Sequence, residues 1–131
     1  MKAMAKQIKL GQLQLQLMQV LWDRQQATAR ELTDEMSKSA PIAHSTVQTL
    51  LKRLEIKGAI KHKTDGRTFV FMPALGQEDV QLSAVKDMFR SVFRGSASLL
   101  VAHLIEHESI SQDELKQLRE LIDSKSKEKG E

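Results

Sequence analysis

The sequence contains no cysteine among its 131 residues. A disulfide framework, a thiolate nucleophile, a cysteine-ligated zinc or iron–sulfur site and a thiol redox sensor are therefore excluded. No apolar run approaches the roughly 20 residues that span a bilayer. The first ten residues carry lysines but lack the apolar core of a secretory signal. We therefore expect a cytoplasmic protein with no membrane, metal or cofactor partner.

The stretch of residues 44–72 combines a helical pattern with a hairpin pattern. Its apolar residues recur at the i, i+3, i+4, i+7 spacing of one helical face: Val47, Leu50, Leu51 and Leu54. The opposite face is polar, and Gly58 follows the last apolar turn, where a helix C-cap favours a residue that can adopt positive φ. The segments AIKHK and TFVFM then flank a predicted two-residue turn at Asp65-Gly66. The stretch predicts a polar-faced helix followed by a β-hairpin.

Charge is concentrated in the same part of the chain. Residues 38–67 contain seven lysines and arginines but only two acidic residues, which is a formal charge of +5. The whole chain carries +3, so the remainder is net negative. A charge separation of this kind indicates that one surface meets a polyanion.

The string STVQTLLKRLEIKGAI, a basic hairpin and a Phe-x-Phe strand ending at Pro73 follow one another directly. This combination resembles the penicillinase-repressor and methicillin-resistance-repressor family of winged-helix regulators, and the similarity extends from about Leu10 to Ile122. The resemblance implies a mainly α fold with a small β-hairpin. It divides the chain into a winged helix-turn-helix DNA-binding domain (residues 1–73), a helical dimerisation domain (74–124) and a solvated charged tail (125–131).

The N-terminal helices are predicted from periodicity and caps. Helix 1 is expected at residues 12–23, with a weak start because Gly11 offers no side-chain cap. Thr28 and Glu31 form a capping box that opens helix 2. Ala43 cannot cap the third helix, so we expect that helix to begin late, at Ser45, or to fray at its first turn. In the hairpin, we expect both phenylalanines to pack into the core, the alternative being that they stack on unpaired bases.

The sequence after residue 74 predicts three short amphipathic helices. About fifty residues arranged in this way bury too little surface to be stable alone. We therefore predict that two copies share one core and that the protein is a homodimer. The predicted dimerisation residues are Val85, Met88, Phe89, Val92, Leu100, Leu104, Leu115, Leu118, Leu121 and Ile122.

A polar-faced helix beside a cationic hairpin is suited to duplex DNA, because the major groove admits one α-helix and offers donors and acceptors on base edges. The predicted base-reading residues are Ser45, Thr46, Gln48 and Thr49. The predicted phosphate-binding residues are Lys52, Arg53, Lys61, Lys63 and Arg67. The resemblance implies a repressor that binds a palindromic operator of β-lactam-resistance-type genes.

The resemblance also implies a mode of induction. In relatives controlled by a membrane-bound antibiotic sensor, a protease cuts an Asn-Phe bond in the fifth helix and so destroys the dimer. The corresponding pair in this sequence is His103-Leu104. That departure leaves the fold prediction intact and leaves the inducing signal open.

Three other functions are compatible with parts of the sequence. Residues 103–107 match H-x-x-E-H, a zinc-peptidase pattern, but only 24 residues follow His107 to supply a third ligand and a substrate cleft. A winged helix that binds protein instead of DNA usually lacks cations on this helix, whereas Lys52, Arg53 and Lys57 are present here. RNA binding is less favoured because no RNA-binding signature is present. We therefore predict no catalytic residues and no metal ligands.

Overall fold

The structure is a computed structural model that describes residues 9–130. The first ten residues, for which we predicted no secretory signal, lie outside this range except for the last two. The final residue of the predicted tail also lies outside it. The described residues form six helices and three strands. In chain order these are α1 (Gln12–Arg24), β1 (Ala27–Thr28), α2 (Ala29–Ser37), α3 (His44–Ile56), β2 (Ile60–Asp65), β3 (Thr68–Pro73), α4 (Gln77–Ser91), α5 (Ala97–His107) and α6 (Gln112–Gly130).

The chain divides into two compact units, one extending to Lys86 and the other beginning at Asp87. The division falls within α4. The first unit holds the hydrophobic core, which α1, α2 and α3 build with the sheet. Its fully buried large side chains are Leu17, Met18, Leu21, Leu32, Val47 and Leu54. All four residues of the apolar face that predicted α3 are buried here.

The capping box that opens α2 is confirmed. The Thr28 hydroxyl oxygen accepts a hydrogen bond from the Glu31 backbone N–H at 3.2 Å, and the Glu31 carboxylate accepts from the Thr28 N–H at 2.8 Å. At α1 the N-cap Gly11 has no side-chain cap, as predicted, but Gln14 Oε1 accepts from the Gly11 N–H at 3.0 Å. The helix α2 is thus capped by two reciprocal hydrogen bonds, whereas α1 has only the one from the Gly11 N–H to Gln14.

The third helix begins at His44, so the expectation of a later start at Ser45 is wrong. Ala43 makes no side-chain cap. Instead, His44 Nδ1 lies 2.8 Å from the Thr33 hydroxyl oxygen, so that a tertiary contact to α2 holds the first turn in place of a local cap. At the other end Gly58 adopts φ 84°, and a Cβ built there would meet no atom within 4 Å. The conformation of Gly58, and not the available space, favours glycine at this position.

The sheet has the order β1-β3-β2 and is antiparallel throughout. Asp65 pairs with Thr68, so the two-residue turn of the β2–β3 hairpin is Gly66-Arg67 and not the predicted Asp65-Gly66. Gly66 has φ 65°. In this register the positive φ falls on glycine alone, whereas a type I′ turn at Asp65-Gly66 would also impose it on Asp65 at a steric cost.

The two phenylalanines of β3 differ in their environment. Phe71 is 8% exposed and belongs to the core, as expected. Phe69 is 49% exposed, so the expectation that both phenylalanines pack into the core is wrong. Phe69 lies near the hairpin turn, opposite Thr64 and beyond Val70 and Phe71, the two positions of β3 that pair with β1.

The second unit contains the end of α4, then α5 and α6, and none of these helices has a buried residue in the described chain. Ser96 and Ser111 cap α5 and α6, each accepting a hydrogen bond from the N–H three residues later at 3.1 Å. The helix α6 continues to Gly130. The predicted charged tail is therefore solvated but helical as far as the structure describes it. No helix within residues 9–130 is long and apolar enough to cross a membrane.

Candidate nucleic-acid interface

The helix α3 separates its apolar and polar residues onto opposite faces. Val47, Leu50, Leu51 and Leu54 are buried. The predicted base-reading residues Ser45, Thr46, Gln48 and Thr49 are all exposed. The side chains that could hydrogen-bond to base edges are therefore accessible along one side of the helix.

The exposed polar residues of α3 differ in how free their hydrogen-bonding groups are. Thr49 donates its hydroxyl proton to the Ser45 backbone oxygen at 3.0 Å, which leaves its oxygen able only to accept. The Gln48 amide has no hydrogen-bond partner among the described residues. Gln48 can therefore offer both a donor and an acceptor to a base, as bidentate recognition of adenine requires.

The cations of residues 38–67 separate into two groups. Lys38 pairs with Glu35 at 3.2 Å, and the Lys57 ammonium donates to the Lys9 backbone oxygen and to Gln14 Oε1 at 2.8 and 3.0 Å. The other five are exposed and form no ion pair within the described chain. They are the five predicted phosphate-binding residues: Lys52, Arg53, Lys61, Lys63 and Arg67. The cations that remain available to a polyanion are thus the predicted ones.

The five cations do not all lie on one side of the hairpin. Lys61 and Lys63 pair with Met72 and Val70. Because side chains alternate along a strand, these lysines lie on the sheet face opposite the one that carries His62 and Phe71. Lys52 and Arg67, by contrast, line a cavity together with Gln48. The structure therefore brings Gln48, Lys52 and Arg67 together and leaves Lys61 and Lys63 on the other face of the hairpin.

A contact that the sequence analysis missed joins α3 to the hairpin. His62 Nδ1 lies 2.8 Å from both carboxylate oxygens of Glu55. The His62 ring stacks on Phe69, with ring centroids 4.2 Å apart and ring planes 19° apart. The position of His62 between Lys61 and Lys63 was the available signal, because strand alternation turns it away from the lysines and toward α3. This contact joins the hairpin to the last turn of α3.

The H-x-x-E-H segment lies on α5, in the second unit. The rings of His103 and His107 stack with centroids 5.6 Å apart, and Phe93 lies 5.8 Å from the His103 ring. Both histidines are exposed. Within residues 9–130 no group of three or more histidine, aspartate or glutamate residues is arranged to hold a metal ion.

Comparison with known proteins places this arrangement in a family. The model of the penicillinase repressor family matches residues 10–124. The methicillin resistance regulatory protein MecI of Staphylococcus aureus (strain N315) is 27% identical over 120 residues, covering 92% of this chain and 98% of MecI. The penicillinase repressor of Bacillus licheniformis is 27% identical over 123 residues, covering 94% and 96% of the two chains.

A solved structure supports the fold of the first unit. The solution structure of the DNA-binding domain of the repressor BlaI matches 54% of this chain and 87% of that domain, with 34% identity and a TM-score of 0.50. The predicted winged-helix fold is thereby confirmed. The chain belongs to the penicillinase repressor family, a non-enzymatic family of DNA-binding repressors.

Proposed function

We propose that this protein is a cytoplasmic homodimer that represses transcription by occupying a palindromic operator, and that the regulated genes are of the β-lactam-resistance type. The observation that carries this proposal is the exposed polar face of α3 beside five cations that no acidic side chain neutralises within the described residues. The names of the relatives, which concern methicillin resistance and penicillinase, support the choice of genes. By occupying the promoter, the dimer would exclude polymerase.

In this proposal α3 enters the major groove and the hairpin, which we call the wing (residues 60–73), lies along the backbone. Gln48 reads a base edge because its amide is free. Lys52 and Arg67, which line the same cavity as Gln48, hold phosphates next to that base edge and set the register of the helix. Lys61 and Lys63 extend the cationic surface on the other face of the wing.

The homodimer is supported by the apolar surface that α4, α5 and α6 leave uncovered in the single chain. Exposed large apolar side chains on these helices, or directly after α4 in the case of Val92, include Val85, Met88, Val92, Leu104, Leu121 and Ile122. Helices with this much unburied apolar surface are stabilised when a second copy covers it. A dimer also presents two copies of α3, which matches the two half-sites of a palindrome about one or more helical turns apart.

Selection of bound sequences from a random duplex pool tests the proposal. We expect the recovered sequences to be palindromic, with a fixed half-site spacing. On the recovered duplex, the logarithm of the binding constant should fall against the logarithm of salt concentration with a slope of about −5 to −9 for a dimer. Recovery of no common sequence, together with a flat salt dependence, would refute the proposal.

The proposed inducing step is cleavage of the His103-Leu104 bond by a regulatory protease linked to a membrane sensor. Both residues are exposed on α5, and cleavage there would remove the C-terminal apolar surface from the DNA-binding unit. Because the bond lies inside a helix, the protease would act on a locally opened α5. Cells exposed to a β-lactam should contain a shortened chain on an immunoblot, and an intact chain under these conditions would exclude this step.

A further inference from the structure

A cavity of about 730 Å³ lies between α3, the first turn of α2 and strand β3. We call it the helix–wing cavity. All its lining residues lie between Thr28 and Phe71, within the first compact unit. Its volume is within the range of about 300–1,000 Å³ that is usual for small-molecule sites. The space is therefore large enough for an organic molecule with one or two rings.

The inner surface of the helix–wing cavity is apolar. Leu51 and Phe71, which are 2% and 8% exposed, belong to the core and also line the cavity. Ile56 and Phe69 line it as well, yet they are 78% and 49% exposed. A phosphodiester backbone gains little from contact with such side chains, whereas an apolar ring would remove them from water.

The polar groups of the helix–wing cavity favour an anion. Arg30, Lys52 and Arg67 line it and form no ion pair among the described residues. Glu55 is the one acidic residue that lines it, and both of its carboxylate oxygens already lie 2.8 Å from His62 Nδ1. The charge presented to a ligand is therefore positive, with hydrogen-bond donors that suit a carboxylate.

We propose that the helix–wing cavity binds a small organic anion with a planar apolar body, such as an aromatic carboxylate. The ring lies against Ile56 and Phe69, and the carboxylate faces Lys52 and Arg67. Because Gln48 lines the same cavity, the bound anion occupies the side of α3 that reads DNA. This consequence rests on the function proposed above: the anion competes with the operator and relieves repression without cleavage of the chain.

The test uses the full chain without DNA, titrated with 2-naphthoate and followed by ¹H–¹⁵N NMR. We expect saturable binding with a dissociation constant on the order of 0.1–1 mM, which is usual for a ligand of this size. The shifted amide signals should cluster at residues 52–56 and 67–71. The uncharged control 2-naphthamide has the same ring system and should bind at least about threefold more weakly, because it forms no ion pair.

Two matched pairs of variants locate the site. Lys52→Gln should weaken 2-naphthoate binding about two- to fivefold, while Lys38→Gln, which removes an equal charge outside the cavity, should not. Ile56→Ser should weaken it by a similar factor of about two to five, while Leu13→Ser removes an exposed apolar side chain of α1 and should have no effect. Both positions 56 and 13 are exposed, so these variants keep the core intact.

The inference is overturned if 2-naphthoate does not saturate up to ~10 mM, tenfold above the weakest constant expected. It is also overturned if 2-naphthamide binds equally well, or if the members of each variant pair behave alike. Competition with operator DNA at constant ionic strength is measured separately. Because the NMR titration contains no DNA, a protein that binds 2-naphthoate but no operator would refute the proposed function and leave the anion site standing.

Discussion

His62 of the wing and Glu55 of α3 make one contact in which a single ring nitrogen lies 2.8 Å from both carboxylate oxygens. The His62 ring also stacks on the Phe69 ring, with ring centroids 4.2 Å apart. Local hairpin geometry does not determine the angle between a wing and its helix. A contact between the two elements therefore bears on the angle at which the wing and the helix are presented to DNA.

The coupling between Glu55 and His62 can be measured with a double-mutant cycle. We expect Glu55→Ala, His62→Ala and the double variant to give a coupling free energy of about 0.3–1 kcal/mol in urea unfolding, because both side chains are partly exposed to solvent. The side chains of His62 and Glu55 are 28% and 38% exposed, respectively, which argues against a larger coupling free energy. Strictly additive effects of the two substitutions would mean that the contact contributes nothing to stability.

Substitutions at base-reading and phosphate-binding positions should have different effects on DNA binding. Gln48→Ala is expected to reduce discrimination at one base pair of the operator by about 1–3 kcal/mol, while its affinity for unrelated duplexes stays the same. Lys63→Ala should weaken binding to all duplexes and reduce the magnitude of the salt slope by about one per subunit. Binding isotherms on operator and random duplexes at several salt concentrations measure both. A uniform loss of affinity in both variants would contradict this division of roles.

Val92, which directly follows α4 and donates its backbone N–H to the Met88 oxygen at 2.9 Å, provides a test of the dimer. Val92→Asp should weaken dimerisation by about two orders of magnitude or more, because an unpaired carboxylate would be buried in the shared core. Val92 is 67% exposed in the single chain and lies outside the core of the first unit, so the substitution should leave that unit folded. Arg90→Asp, at an exposed position of the last turn of α4, is the control. Sedimentation velocity gives the result, and equal behaviour of the two variants would place the interface elsewhere.

The capping box at α2 should make stability depend on acid pH. A hydrogen bond from the Thr28 backbone N–H chiefly lowers the pKa of Glu31 below its ordinary value of 4.5; the Thr28 hydroxyl and Arg24 lower it further, and partial desolvation opposes the shift. A lowered pKa in the folded state means that the ionised form stabilises the fold above pH 4.5 and that this contribution is lost as the pH falls through the lowered value. Glu31→Gln should therefore remove stability at pH 7 and much less in strong acid. A difference that does not change with pH would refute this assignment.

The end of α1 offers a stabilising substitution. Gln25 adopts φ 72° at the helix C-cap, a conformation that costs free energy for any residue with a Cβ. Gln25→Gly should raise the free energy of unfolding by about 0.5–1 kcal/mol. Gln26→Gly, at the next position and without a positive φ, should give no gain. Thermal unfolding of the two variants provides the comparison, and destabilisation by both would show that the φ of Gln25 is not strained.

The sequence alone determined those features that depend on residues close together in the chain. The two faces of α3 follow from the spacing of its apolar residues, and the start of α2 follows from Thr28 and Glu31, three positions apart. Gly58 ends α3 because the backbone at that position needs a positive φ. Each of these features depends on helix geometry within a few residues, so periodicity and cap chemistry suffice to predict them.

Only the tertiary structure decided which side chains remain available. Phe69 and Phe71 lie on the same face of β3, yet only Phe71 is buried, because β1 pairs with Phe71 and Val70 and does not reach Phe69. Lys57 is as cationic as Lys52, yet its ammonium is taken by the Lys9 carbonyl and Gln14, 48 and 43 residues away. Exposure and partner choice depend on elements that are distant in sequence, and local patterns contain no information about how those elements pack.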